Sequence, residues 1–384
     1  MNIGFYYHIP VHRSRKGITL PSYIGIFIDE LASRVDNLYL IAHTADTIGD
    51  YSIQNNNIIL VDLGIKTSSL NRSICHKNIL SKIDPFILRI DKFLIRAPSP
   101  LAASFNSFNL KGIPVLYYIV GDYSAVARSM RLRSIANFFR CCYLTWCHLQ
   151  LMNVIEGKRV LVNSPALMKR VQPFAGVVDL LPSTTLRIDD FSEMVYNDFP
   201  TPIKILYTGR LDLSKGLVEL INAAGLLLKD LAVELHLVGW EDNVNHPVET
   251  TLRKRVSELD IDKYVIFHGK KKIGKELNEI YRMADIYCIP SYNEGFPRTI
   301  WEAMANGLPV IASRVGGIPY YLEHEVDALL IEPKSVDAIV KSVHKIITNK
   351  ALRFNICKNG MNKALGNTID KRSDELIRFL YEAI

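Results

Sequence analysis

The sequence predicts an α/β chain built from two Rossmann-like domains, each a doubly wound parallel sheet, and three observations carry that prediction. Short apolar runs alternate with longer stretches of helical spacing along the whole chain, the pattern of parallel strands joined by covering helices. At 384 residues the chain is too long for one ordinary core. A polar stretch, 189–202, ends in Phe199-Pro200-Thr201-Pro202 and breaks the alternation near the middle. The expected organisation is a first domain at 1–190, a linker at 191–202, a second domain at 203–365 and a terminal helix at 366–384.

In the first half the candidate strands are 2–7, 37–42, 57–62, 92–96, 114–120 and 159–163, with helical stretches around 23–34, 99–106, 129–152 and 166–172. In the second half strands are expected at 203–207, 234–238, 265–268, 286–289, 309–312 and 328–331. The helix 217–229 places Leu217, Leu220, Ile221, Ala224, Leu227 and Leu228 on one face. Ligands of such sheets bind beyond the carboxyl ends of the strands, so the loops there are the places to look for chemistry.

Composition narrows the classes. Hydrophobic content of 48% and charged content of 22% are those of a globular protein. The longest apolar run, 141–155, is short for a membrane span and carries His148, Gln150 and Asn153. Strand-like Ile3-Gly4-Phe5-Tyr6-Tyr7 follows the first residues directly with no basic leader, so no signal peptide is expected. The six cysteines form no CxxC pair; reduced thiols in a cytoplasm are expected, and no zinc. Net charge is +7, and no nucleic-acid motif accompanies it; an anionic membrane surface or a lipid-phosphate substrate explains the charge as well, and no nucleic-acid partner is expected.

The most informative stretch is Pro290-Ser291-Tyr292-Asn293-Glu294-Gly295-Phe296-Pro297-Arg298-Thr299-Ile300-Trp301-Glu302. The apolar run before it reads as a buried strand, Ser291 to Gly295 as a turn, and Pro297 as the first residue of a helix. One carboxylate then lies on a strand-to-helix loop and the other about a turn into the helix. First-turn amides favour an anion, and carboxylates accept hydrogen bonds from hydroxyls. A ligand with phosphate and many hydroxyls, a nucleotide sugar, suits both. Upstream, Gly209-Arg210 and Lys215-Gly216 deliver two cations from one loop, a fork and a point charge suited to a diphosphate. Downstream, Val315-Gly316-Gly317 allows close approach of backbone to a ligand.

With Val238-Gly239, Phe267-His268-Gly269, Met283-Ala284-Asp285 and Glu302-Ala303-Met304-Ala305-Asn306-Gly307-Leu308-Pro309-Val310 in the same order, the chain resembles the retaining glycosyltransferases of family 4, which have the GT-B architecture. The strong resemblance covers roughly residues 203–332. It implies two domains facing each other across a cleft, with the terminal helix crossing back to the first; a helix capping the second domain is the alternative. It implies a nucleotide-sugar donor as substrate, no cofactor and no metal. Glu302 would accept from ribose hydroxyls and Glu294 from a donor-sugar hydroxyl. The Gly295, Phe296 and Pro297 backbone would lie along the sugar and phosphates, with Thr299 and Gly209 in the same donor site. Arg210 and Lys215 would neutralise the leaving diphosphate. Arg298 is either a phosphate contact or an exposed helix-start arginine. By position, His268 to Ile273 would meet the base, although His268 fits a satisfied strand-end histidine equally well.

In the first domain Asp122 stands at a strand's carboxyl end, where many family members carry a histidine. It would orient an acceptor hydroxyl or cap the following helix. The basic loop from His8 to Gly17, with Lys16 and Gly17, would lie near the cleft and contact the acceptor or the diphosphate. The family often has a glycine pair there; this chain has only Gly17. Residues 128–146 mix Arg128, Arg131, Arg133 and Arg140 with Phe138, Phe139 and Trp146; a surface docking on anionic lipid and a core-packed helix with a solvated basic face both fit. The expected activity is sugar transfer with retention to a lipid-linked or oligosaccharide acceptor in bacterial surface polysaccharide or lipopolysaccharide synthesis. The expected setting is the cytoplasm, peripheral on the inner face of the cell membrane. A synthase acting on a soluble sugar and a non-catalytic nucleotide-sugar binder are the alternatives.

Overall fold

A computed structural model describes residues 1–382 other than 16, 109–111, 131–133, 194–197, 242 and 244. The described residues form two compact units, Met1–Ser183 with Ile369–Ile384, and Thr184–Thr368.

Unit 1 contains β1 (Asn2–Tyr6), β2 (His12–Ser14), β3 (Gly17–Leu20), β4 (Asn37–Thr44), β5 (Tyr51–Ser52), β6 (Ile58–Ile65), β7 (Lys92–Ala97), β8 (Val115–Ile119), β9 (Arg159–Val162) and β10 (Val177–Leu180). Seven of these pair in parallel in the order β10-β9-β8-β7-β1-β4-β6. Nearly every residue of β1, β4 and β7 is buried, as expected of strands covered on both faces. The basic stretch after β1, read from the sequence as a loop, is instead an antiparallel hairpin: β2 pairs with β3, and β3 with β5. Gly17, at φ +122°, lets the chain turn back between them. Lys16 lies outside the described residues. The helix expected at 129–152 is found at Ile135–Val154, and a separate helix, Tyr123–Ser129, precedes it. Ser134, whose hydroxyl accepts from Asn137 N, starts the second afresh.

The final helix, Ile369–Glu382, belongs to unit 1. Its buried residues Ile369, Ser373, Leu376, Phe379 and Leu380 recur at helical spacing, and the last three join the core formed with Ile3, Phe5 and Leu94. Arg34 clamps it through Asp374 at 2.6 Å, and Arg159 through Glu382 at 2.6 Å.

Unit 2 contains β11 (Ile203–Thr208), β12 (Val233–Val238), β13 (Val265–Gly269), β14 (Ile286–Ile289), β15 (Val310–Ser313) and β16 (Leu329–Ile331), all parallel in the order β13-β12-β11-β14-β15-β16. Residues 184–190, expected in the first domain, and the stretch 191–202, expected to be a linker, both belong to this unit. Leu186 enters its core, Asp190 accepts from Asn278 at 2.6 Å, and Phe199 lies 4.1 Å beneath the Arg353 guanidinium. Among the described residues, no helix is long and apolar enough to cross a membrane.

Candidate functional site

The strand order of unit 2 reverses between β11 and β14: β12 and β13 continue on one side of β11, β15 and β16 beyond β14 on the other. Loops at such a reversal diverge and leave a crevice at the carboxyl ends of the strands. The loops following β11, β14 and β15 meet here. Lys215 Nζ lies 2.6 Å from Glu294 Oε1, which also accepts from the Ser291 hydroxyl at 2.8 Å. Tyr292 N donates to Ser214 O at 2.8 Å, and Gly317 N to Gly295 O at 2.6 Å. Lys215 and Glu294 are mostly buried, with side chains 18% and 11% exposed. Asp212 begins the turn that carries Lys215. Hydrogen bonds from Ser214 hold its carboxyl below the usual range, and the Arg210 and Lys215 charges add to that effect.

The glycines show why the loops can come so close. At Gly316, φ is +56° and a Cβ would stand 1.6 Å from the Glu294 carbonyl oxygen. At Gly216, φ is +69° and a Cβ would stand 2.1 Å from the Pro290 carbonyl. At both glycines one backbone closely approaches another, which locks the loops together. Gly209, at φ +151°, makes the tight turn after β11.

Helix Arg298–Ala305 opens on this crevice. Pro297 is its N-cap rather than its first helical residue, with extended backbone and no side-chain cap hydrogen bond. The positive end of the helix dipole and its first-turn amides therefore face the loops without a carboxylate cap. Phe296 packs on Trp301, ring centroids 4.4 Å apart, and on Tyr321 at 4.8 Å, which fixes where Gly295 and Pro297 run.

Glu302 is 7% exposed. It accepts from Tyr281 Oη at 2.9 Å and from the Thr185 hydroxyl at 3.4 Å, and Arg298 Nη1 donates to that same hydroxyl at 3.4 Å. Tyr281 is in turn 2.7 Å from Thr208 Oγ1, which is 3.2 Å from Tyr287 Oη. Burial raises the Glu302 pKa above the usual carboxylate range, opposed chiefly by the Arg298 charge. A carboxylate offers about four acceptor positions, so these two bonds leave capacity for ligand hydroxyls.

Residues 191–363 match the family described as glycosyl transferases group 1. Unit 2 is a glycosyl transferases group 1 domain. An uncharacterized glycosyltransferase of Methanocaldococcus jannaschii is 33% identical over 155 residues, 40% of this chain and 38% of that one, so the chain spans well under half of that relative. Among solved structures, sucrose-phosphate synthase from Thermosynechococcus elongatus superposes with a TM-score of 0.71 at 19% identity, over 100% of both chains. Anabaena HepE in complex with UDP and glucose gives 0.70 at 17% identity, also over 100% of both. At such identities the likeness is one of fold, and the fold is GT-B.

Around the group 1 domain's crevice, the structure brings together Lys215, Glu294, Gly295, Gly209 and the start of helix Arg298–Ala305. Arg210 is exposed on the same loop, its backbone carbonyl accepting from Tyr207 Oη at 2.8 Å. His268 is engaged elsewhere: its Nε2 lies 2.9 Å from His236 Nδ1, the rings stacked, and burial followed by the neighbouring His236 lowers its pKa. The satisfied strand-end alternative describes that geometry. Ile273 is half-buried just before helix Lys275–Met283. In unit 1, Asp122 is the N-cap of helix Tyr123–Ser129, accepting from Ser124 N at 2.8 Å and Ala125 N at 3.1 Å, and it pairs with Arg170. The capping alternative is the one this geometry realises.

Sequence reasoning missed Tyr281, Thr208, Tyr287, Thr185 and Ser291. Ser291 lies in the stretch singled out above and Tyr287 in the strand expected at 286–289; Thr208, Tyr281 and Thr185 lie in neither, and Thr185 reaches Glu302 from 117 residues away.

Proposed function

We propose that the protein transfers a sugar from a nucleoside diphosphate to an acceptor hydroxyl with retention of configuration. The observation that carries this is the joining of three strand-end loops, two through Lys215 and Glu294 and the third through Gly317 N and Gly295 O, beside the uncapped start of helix Arg298–Ala305. The diphosphate would lie against the first-turn amides with Lys215 and Arg210 supplying positive charge, and Glu294 and Glu302 would accept from sugar and ribose hydroxyls. The bond from the anomeric carbon to the phosphate oxygen breaks as the acceptor oxygen bonds to the same face of that carbon, and the acceptor's proton passes to the departing phosphate. Lys215 stabilises the charge that grows on that phosphate. Two side-chain cations suffice in this scheme, so no metal is required. The UDP and glucose named with Anabaena HepE, which shares the fold, make a uridine donor the first to test.

The setting proposed is surface polysaccharide or lipopolysaccharide assembly at a membrane. Helix Ile135–Val154 favours this: Leu144, Cys147, Leu151 and Met152 are buried, while Ile135, Phe138, Phe139, Trp146 and Leu149 are exposed. Such an apolar face with Arg128 and Arg140 nearby suits an anionic bilayer surface. Purified protein incubated with UDP- and GDP-sugars, with and without lipid-linked and soluble sugar acceptors, tests the proposal. Binding of nucleotide sugar without turnover on any acceptor would favour a non-catalytic binder instead.

A further inference from the structure

Unit 1 has its own reversal of strand order, between β1 and β7. The side chains delivered to the carboxyl ends around it are basic. His8 lies two residues past β1, His43 is the last residue but one of β4, Lys66 follows β6, and Arg96 is the last residue but one of β7. Arg72 comes from helix Ser69–Ile74, just after β6. Tyr143 of helix Ile135–Val154 holds that short helix in place, donating to Ser69 O at 2.9 Å and sharing a 2.8 Å hydrogen bond with the Ser73 hydroxyl.

Arg72 is 4% exposed, and its Nε and Nη1 are buried without a hydrogen-bond partner; Nη2 reaches only the Ser69 hydroxyl, at 3.3 Å. Among the described residues it makes no ion pair. Arg96 is also buried, with Nε unpartnered and its guanidinium 4.8 Å from the Tyr7 ring centroid and 5.4 Å from that of Tyr118. His8 Nδ1 and His43 Nε2 are buried and unpartnered as well. These groups feel one another. The His8 pKa falls to about 4 through burial and then the charges of Lys66, Arg96 and Arg72, while burial and Arg72 lower that of Lys66. Burying a charge with neither counter-ion nor hydrogen bonds is costly. So many like charges with open donors at a ligand-binding position in the fold call for an anion.

We propose that Arg72, Arg96, Lys66, His8 and His43 form a binding site for a phosphate monoester group carried by the acceptor. A phosphate dianion supplies the missing negative charge, and its tetrahedral oxygens suit the arginine forks. That the phosphate belongs to the acceptor rests on the glycosyl-transfer reading; that the site binds phosphate does not.

The test is binding of inorganic phosphate to the full chain, followed by thermal shift and calorimetry. Wild type and Lys215→Ala should bind phosphate alike, because Lys215 lies in unit 2. Arg72→Met should weaken binding by roughly tenfold to a hundredfold, without lowering the melting temperature measured in the absence of phosphate. Lys66→Met, at an exposed position, should weaken it too, and carries the comparison should Arg72→Met fail to fold. Glycerol 3-phosphate and phosphatidic-acid vesicles then separate a soluble from a lipid-borne monoester. Loss of binding with Arg72→Met or Lys66→Met supports the site for whichever source binds. No binding by wild type, or binding lost in Lys215→Ala but kept in Arg72→Met and Lys66→Met, overturns it. Arg72-dependent phosphate binding in a protein that transfers no sugar would leave the site standing and remove the glycosyl-transfer reading.

Discussion

Replacing Glu302 with glutamine separates what this carboxylate costs the fold from what it gives the ligand. Its two hydrogen bonds, from Tyr281 at 2.9 Å and Thr185 at 3.4 Å, are of unequal quality, and the amide oxygen of glutamine can keep the better one. The carboxylate is almost fully buried, and its pKa is raised chiefly by that burial. Between the ordinary carboxylate value and the raised one, the native state holds the proton more tightly than the unfolded chain. Stability therefore falls as pH rises through that window, and at neutral pH the wild type carries the whole cost. Glu302→Gln removes that cost, so its melting temperature at pH 7 should equal or exceed that of wild type, and the pH slope in the window should flatten. Donor binding should move the other way. Losing a hydrogen bond to a charged acceptor costs about 1.5–3 kcal/mol, which is roughly a tenfold to 150-fold weaker dissociation constant. Calorimetric titration with the donor, with melts at pH 5 and pH 7, reads both effects. A lower melting temperature with unchanged donor affinity would refute the argument and make Glu302 a structural residue.

Lys215→Ala should reduce the transfer rate by about a hundredfold or more and donor affinity by much less, measured by initial rates and by titration, and wild-type activity should survive excess chelator. Gly316→Ala should abolish transfer, because its Cβ would stand 1.6 Å from the Glu294 carbonyl oxygen at a φ of +56°; a wild-type rate would show that the loops need not be locked. His8, whose pKa is lowered to about 4, stays neutral in the fold while the unfolded chain protonates it near 6.5. The protein should therefore lose stability as pH falls from 6.5 towards 4, and His8→Gln should flatten that acid limb in melts across the range. Leu376→Ala should destabilise unit 1 by about 2–5 kcal/mol in denaturant unfolding, since the side chain is fully buried beside Phe5 and Leu94.

Periodicity and motif order were legible in the sequence because they are local. Strand-length apolar runs, the single apolar face of helix Leu217–Leu227, and the succession from Gly209-Arg210 to Gly316-Gly317 depend on neighbouring residues, and they give two parallel sheets with the chemistry at strand ends. The small hairpin of β2 and β3 escaped because its residues carry no strand-like apolar alternation and are held by pairing with each other and with β5, which lies more than thirty residues on. Tertiary structure alone decided three further matters. It set Lys215 against Glu294, 79 residues apart, because β11 and β14 are neighbours in the sheet although not in the chain. It gave Glu302 its partners Tyr281 and Thr185, and committed Asp122 to its own helix and to Arg170. It gathered His8, His43, Lys66, Arg72 and Arg96 from five separate places at the carboxyl ends of four adjacent strands. Each of those residues looks like an ordinary surface charge or a strand-end histidine in the sequence, and only the fold shows that His8, His43, Arg72 and Arg96 carry buried polar atoms without partners among the described residues.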